Sequence, residues 1–269
     1  MSVTLHFRKS GHGPAMVILH GLYGSSDNWI SIARKLEDRF TVFIPDLRNH
    51  GQSPHTSTHT YQDMAGDLYQ FFKDHSINKA TILGHSMGGK LAMMFAADYP
   101  ELITGLIIAD IAPKNYNSEK IPFKTVVQHE LILEQMEELN LVSVTSRKEI
   151  DYFLAEKLKD STLRQFLLKN IHRNREGYFE WKINVPVLKH ALNSITHDVN
   201  SEWFADRLPI LNYPVTFIRG LDSDYISDQD FVDLNKIYPE AKLISIADAG
   251  HWLHAEQPEK FLEAVLASV

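Results

Sequence analysis

The stretch Thr81-Ile82-Leu83-Gly84-His85-Ser86-Met87-Gly88-Gly89 limits what this chain can fold into more than any other. It sets G-x-S-x-G between an apolar run and the helix-like Lys90-Leu91-Ala92-Met93-Met94-Phe95-Ala96-Ala97. Strand, sharp turn and helix follow one another, with a serine at the apex of the turn. Side chains at 84 and 88 would clash across so tight a bend, so both positions are glycine. The turn strains the backbone and lifts the hydroxyl out at the carboxyl edge of a sheet. The helix behind it aims amide groups and the positive end of its dipole at whatever sits above the serine. Five residues recur by chance as a glycine-rich turn with a surface serine. The flanking strand and helix are what make the motif specific.

A serine hydroxyl is a poor nucleophile until a base takes its proton, and the base needs an orienting carboxylate. The far end of the chain offers the base. Lys242-Leu243-Ile244-Ser245-Ile246 reads as a strand and runs into Asp248-Ala249-Gly250-His251-Trp252. A helix begins near Pro258 and carries Phe261, Leu262, Val265 and Leu266. A histidine on the loop after the last strand can reach back over the sheet edge, so His251 is the expected base. The chain has 14 histidines, so position rather than residue type makes the case. His254 is the nearest competitor and reads as a surface or loop-packing residue.

Near the start, the buried strand Ala15-Met16-Val17-Ile18-Leu19 is followed by His20-Gly21-Leu22-Tyr23-Gly24. An H-G-x-x-G loop there suits an oxyanion hole, with the amide of Leu22 as one donor and that of Met87 as the other. His20 reads as a brace for this loop. It has no partner at metal-ligand spacing. His129-Glu130 is followed by Leu133 where H-E-x-x-H requires a second histidine, so neither a metal nor a cofactor is expected.

Composition narrows the class. With 269 residues, 44% hydrophobic and 23% charged, the chain suits one globular domain with an insertion and has ample material for a core. A formal net charge of −7 without a basic stripe points away from nucleic acid and anionic membranes as partners. There is no cysteine, which excludes disulfides, thiolate catalysis and zinc–thiolate sites. The opening Met1-Ser2-Val3-Thr4-Leu5-His6-Phe7 reads as a strand rather than a leader, and no apolar stretch approaches a membrane span. No membrane insertion and a cytoplasmic protein are therefore expected. Nothing in the sequence speaks to oligomeric state.

Strands are predicted near 3–8, 15–20, 41–45, 80–85, 104–110, 213–219 and 242–247, and helices near 26–37, 60–75, 88–98, 228–238 and 257–267. Such alternation predicts a mainly parallel sheet covered on both faces. The rhythm breaks between about 114 and 208, where helical patterns at 124–138, 146–159 and 162–170 occur without a convincing strand. At least two of Ile132, Leu133 and Met136 are expected to pack in a core.

The segments HGLYGSSDNW (20–29), PDLRNHGQS (45–53), GHSMGG (84–89), ADIAP (109–113) and DAGHWLHAEQP (248–258) carry a resemblance to the α/β-hydrolase superfamily, and within it to the YbfF-type esterases. The resemblance implies an α/β-hydrolase fold: a mainly parallel eight-stranded sheet flanked by helices, with a helical cap inserted after strand 6. The core would be 1–113 and 201–269, and the cap 114–200. It also implies that Asp46, Arg48, Asn49 and His50 form a hydrogen-bonded brace under the oxyanion loop. Hydrolases of this fold usually carry the triad acid after the seventh strand, in a pattern like G-x-x-D. Here Val215-Thr216-Phe217-Ile218-Arg219 ends in Gly220-Leu221-Asp222-Ser223-Asp224, so Ser223 stands at the matching position. Asp110, closing the strand Leu106-Ile107-Ile108-Ala109, is the alternative. A carboxylate there is costly to bury unless paired, and a histidine ring would pair it. Some YbfF-type members use an acid at that place. Asp110 is therefore favoured over Asp222, with Asp224 third. The competing readings are a loop cap beside Pro113 for Asp110, and turn chemistry for the other two.

Together these features predict a serine hydrolase that cleaves small to medium acyl esters through Ser86, His251 and Asp110. Trp29 and Trp252 are candidates for lining the acyl pocket, though aromatic residues beside such loops commonly pack in the core. An acyl-CoA thioesterase or a C–C bond hydrolase would use the same residues. A hydrolase-fold binding protein with little turnover is the reading from a different class. A serine at the elbow disfavours dehalogenase and epoxide-hydrolase chemistry, which places a carboxylate there.

Overall fold

The apolar runs become strands of one sheet. The computed structural model describes residues 2–117, 124–197 and 199–269. The chain first forms β1 (Phe7–Ser10), β2 (Ala15–Leu19), α1 (Ile30–Leu36), β3 (Thr41–Pro45), α2 (Tyr61–Asp74), β4 (Ala80–His85), α3 (Met87–Asp98) and β5 (Ile103–Ala109). It continues with α4 (Lys124–Glu138), α5 (Arg147–Ala155), α6 (Ser161–Leu168), β6 (Ile171–Arg173), β7 (Phe179–Trp181) and α7 (Val185–His197). It returns to the sheet with β8 (Val215–Gly220), α8 (Asp228–Ile237), β9 (Lys242–Ile246), α9 (Leu253–Glu256) and α10 (Pro258–Leu266).

The sheet holds seven strands in the order β1-β3-β2-β4-β5-β8-β9. β1 is antiparallel to β3, and the other pairings are parallel. Successive residues of a strand point to opposite faces, and helices cover both, so β4 is buried throughout. Val17, Ile82, Ile108 and Phe217 pack with Met64 and Leu68 of α2 and Leu91 of α3. Met16, Ile18, Leu83, Ile107 and Ile218 pack on the other face with Leu36 of α1 and Phe261 of α10.

Register places the site. His85 pairs with Ala109, Ala109 with Ile218, and Gly220 with Ile246. The four strands are parallel, so their carboxyl ends finish at one edge. Ser86, Asp110 and the loops at 221–226 and 247–252 therefore emerge side by side.

Three sequence expectations need correction. The described sheet has seven strands rather than eight, and the insertion follows the fifth of them rather than a sixth. The stretch predicted at 3–8 is a strand only from Phe7 onward. Upstream, the Val3 amide bonds Asp67 Oδ1 at 2.7 Å and the His6 amide bonds Ser53 Oγ at 2.9 Å, so these backbone groups are satisfied by side chains rather than by a ladder. The third is the expected strand-free insertion, which contains the antiparallel pair β6–β7. Three-residue strands around a turn at Asn174 and Gly177 are too short to show an alternating pattern.

Between β5 and β8, α4 packs along α7 and α5 against α6. Ile132, Leu133 and Met136 are all buried there, with Leu188 and Leu192 in the same core. Residues 118–123 and 198 of the segment expected as a cap lie outside the described residues.

Candidate active site

The elbow has the backbone its sequence demands. Ser86 sits at φ 52°, ψ −121°, a region that residues with a side chain rarely enter. A Cβ at Gly84 would strike the Gly88 carbonyl, and one at Gly88 would strike the carbonyls of Leu19 and His20. The Ser86 amide bonds Ala109 O at 3.0 Å, locking the turn to the neighbouring strand. Ser86 precedes α3, yet its hydroxyl does not cap the helix. Instead Oγ lies 3.0 Å from His251 Nε2.

His251 Nδ1 lies 2.8 Å from Asp110 Oδ2, and the Asp110 carboxylate is fully enclosed. The same oxygen accepts the Ser223 hydroxyl, and Oδ1 accepts the Gly220 amide at 3.1 Å. Asp110 is itself left-handed, at φ 52°. Burial pushes its pKa up to about 7, against the hydrogen bonds from Ser223 and Gly220 and the charge of Arg219. Burial likewise pulls His251 down to about 3. Enclosure thus opposes charge on both partners, while three donors converge on the carboxyl group. In a neutral imidazole, the tautomer with its proton on Nδ1 would donate to this carboxyl group and leave Nε2 to accept the Ser86 hydroxyl. His85 Nε2 bonds the His251 carbonyl at 2.8 Å and anchors that loop to β4.

Asp222 and Asp224 are exposed, and Asp222 contributes its backbone amide, which bonds Ala249 O at 2.9 Å. Ser223 stands at the position that matches the acid of the G-x-x-D pattern and donates to Asp110 instead.

Leu22 and Met87 both line a cavity of about 30 Å³ that opens on Ser86. Ile111 forms part of its wall, with Tyr116, His129 and Ile195 from the insertion. His20 braces the loop: Nδ1 bonds Gly21 O at 2.9 Å, and Nε2 accepts the Leu47 amide at 3.0 Å. Beneath it, Asp46 accepts the amides of Ser26 and Gln52, and buried Arg48 clasps Asp67 through Nε at 2.6 Å and Nη2 at 2.8 Å. Asn49 and His50 are buried beside them, with the His50 ring 5.1 Å from that of His20.

The two tryptophans part company. Trp29 is a core residue, not a pocket residue: it is buried in the layer under α1 and α10 and stacks flat on His254 at 4.3 Å. That stack also buries His254. Trp252 is half-buried, edge-on to His251 at 5.8 Å and against Phe166 at 5.6 Å, and is not among the described residues lining the cavity.

Sequence reasoning missed Tyr225 and Lys90, and weighed His129 only as a metal ligand. The Tyr225 ring lies flat on His251, with centroids 3.8 Å apart and planes 13° apart. An aromatic residue two positions past the missing acid was its only signal. Lys90 Nζ is buried and bonds the carbonyls of Lys114 and Thr196, each at 3.0 Å. Among the described residues no group of three or more His, Cys, Asp or Glu is arranged to hold a metal, and no helix is long and apolar enough to cross a membrane.

A family model for the alpha/beta hydrolase fold matches residues 14–258, and the chain belongs to that family. The chain is 34% identical over 256 residues to the sn-1-specific diacylglycerol lipase ABHD11 of Xenopus laevis, covering 94% of this chain and 78% of that protein. It is 36% identical over 250 residues to esterase YbfF of Escherichia coli, covering 93% and 91%. Among solved structures it superposes on a marine microorganism esterase with a TM-score of 0.92 and 41% identity over the whole of both chains.

Proposed function

We propose that the chain is a serine carboxylesterase that works through an acyl-enzyme. One observation carries the reading: Asp110, His251 and Ser86 form an unbroken hydrogen-bonded series, and its hydroxyl end faces a cavity. Ser86 Oγ attacks the acyl carbon while His251 Nε2 takes its proton. Asp110 holds the tautomer and stabilises the imidazolium as it forms. The amides of Leu22 and Met87 take up the developing oxyanion. Met87 opens α3, where the first amides of a helix have no acceptor within it. His251 returns the proton to the departing alcohol, and water releases the acyl group through the same base. Relatives named as esterase and lipase support ester cleavage.

The segment 114–200 acts as a cap, since His129 and Ile195 wall the cavity from that side. A cavity of about 30 Å³ suits small acyl groups, and longer chains require the cap to shift. The cytoplasm, a small-molecule acyl ester or thioester as substrate, and independence of any cofactor belong to the same proposal.

The test is direct. A fluorophosphonate should label Ser86, located by mass spectrometry. Ser86→Ala should keep the fold and lose roughly 10⁴-fold or more of turnover on p-nitrophenyl acetate. An adduct on another serine would reject the assignment. A graded panel of esters and acyl-CoA thioesters separates esterase from thioesterase, and absence of turnover on all of them would favour a binding protein.

A further inference from the structure

On α4, His129 is half-buried and lines the cavity, with both ring nitrogens engaged. Nδ1 lies 3.2 Å from the Tyr23 hydroxyl, and Nε2 lies 3.2 Å from the Tyr225 hydroxyl. These two partners are 202 positions apart (225 − 23) and belong to opposite halves of the machinery. Tyr23 follows Leu22 in the H-G-x-x-G loop. Tyr225 is the ring stacked on His251.

We propose that His129 is a positioning residue of the hydrolytic site: its imidazole ties the loop of Leu22 to the ring that lies on His251, so that oxyanion donor and base are held in one geometry. The proposal rests on the serine-esterase reading and adds to it.

Three observations support it. Tyr23 is left-handed, at φ 62°, a conformation that persists in a non-glycine residue only when its surroundings impose it. The insertion imposes it twice, through His129 on the hydroxyl and through Asn170 Nδ2 on the Tyr23 carbonyl at 2.8 Å. Tyr225 is also pinned at both ends, since its carbonyl accepts the Tyr116 hydroxyl at 2.8 Å. A ring flat on His251 restricts rotation of the imidazole, and its electron-rich face favours the positive charge that forms there during proton transfer. Finally, burial and the nearby His251 lower the His129 pKa to about 4, so at neutral pH the ring has one N–H and one acceptor nitrogen. A neutral imidazole can donate to one hydroxyl and accept from the other. A histidine that merely fills space would not need partners on both halves of the site.

The experiment compares His129→Ala, His129→Gln and Tyr225→Phe with the unsubstituted protein, by steady-state hydrolysis of p-nitrophenyl acetate and by the rate of fluorophosphonate labelling. His129→Ala is expected to lower kcat and the labelling rate together by roughly 10- to 100-fold, with KM within about threefold. Glutamine, which offers both a donor and an acceptor, should recover much of kcat. Tyr225→Phe keeps the ring on His251 but drops the hydroxyl, and should reproduce the loss. The double variant His129→Ala/Tyr225→Phe should be no worse than the poorer single one. Unchanged kcat and labelling in Tyr225→Phe, or losses that add in the double variant, would overturn the proposal. So would a His129→Ala effect confined to KM or to thermal stability. Failure of the unsubstituted protein to label at Ser86 would instead overturn the esterase reading beneath it.

Discussion

Asp110 leaves β5 with a left-handed backbone and an enclosed carboxylate, two costs that only strong local partners offset. Ser223, Gly220 and His251 are those partners. Asp110→Asn should lower turnover by roughly 10³- to 10⁴-fold, because an amide lets the wrong tautomer face Ser86. Asp222→Asn, at an exposed side chain, should leave turnover near the unsubstituted level, and steady-state kinetics on one ester decides between the two. Ser223→Ala removes a single donor to the buried charge and should cost roughly 10-fold, in keeping with the worth of a hydrogen bond to an ionised group. A crippled Asp222→Asn beside an active Asp110→Asn would reverse the assignment.

The elements meet through α3. Its first residue faces the cavity, and its Lys90 reaches the carbonyls of Lys114 and Thr196, near the two ends of the insertion. Lys90→Met keeps the bulk but leaves both carbonyls without that donor. Urea denaturation should show a loss of about 1–3 kcal/mol, and the ratio of acetyl to hexanoyl ester turnover should change as the cavity wall loosens. α4 was legible in the sequence because Ile132, Leu133 and Met136 repeat at helical spacing. The hairpin at 171–181 was not, since its two short strands depend on each other for their definition.

Over the whole molecule, burial lowers the pKa of several enclosed histidines. His59 and His85 are pulled down to about 3 by burial, and His20, His50 and His254 are lowered by the same cause. In the unfolded chain each would titrate near pH 6.5, so below that pH the unfolded state binds the extra protons. Stability should therefore be fully present above about pH 6.5 and fall as pH drops toward the folded-state values. Each group contributes up to about 1.4 kcal/mol per pH unit on the way down. Urea midpoints from pH 7.5 to pH 4 check the trend, and His59→Gln should flatten it by about one proton. A flat profile would show that these rings titrate normally in the fold.

What the sequence determined by itself is local. Glycines at 84 and 88 dictate the elbow, since neighbouring backbone leaves no room for a Cβ. The apolar runs dictate the strands, because burial on two faces demands them. The position of His251 at the sheet edge follows from the loop after the last strand. The tertiary structure decided what depends on register and on packing between distant segments. Pairing Ala109 with both His85 and Ile218 sets Asp110, rather than Asp222, against His251. Stacking on His254 draws Trp29 into the core, and the fold lays Tyr225 on His251 and His129 between two tyrosines. Such contacts join residues that share no local pattern, so only the summed geometry of the sheet and its insertion brings them together.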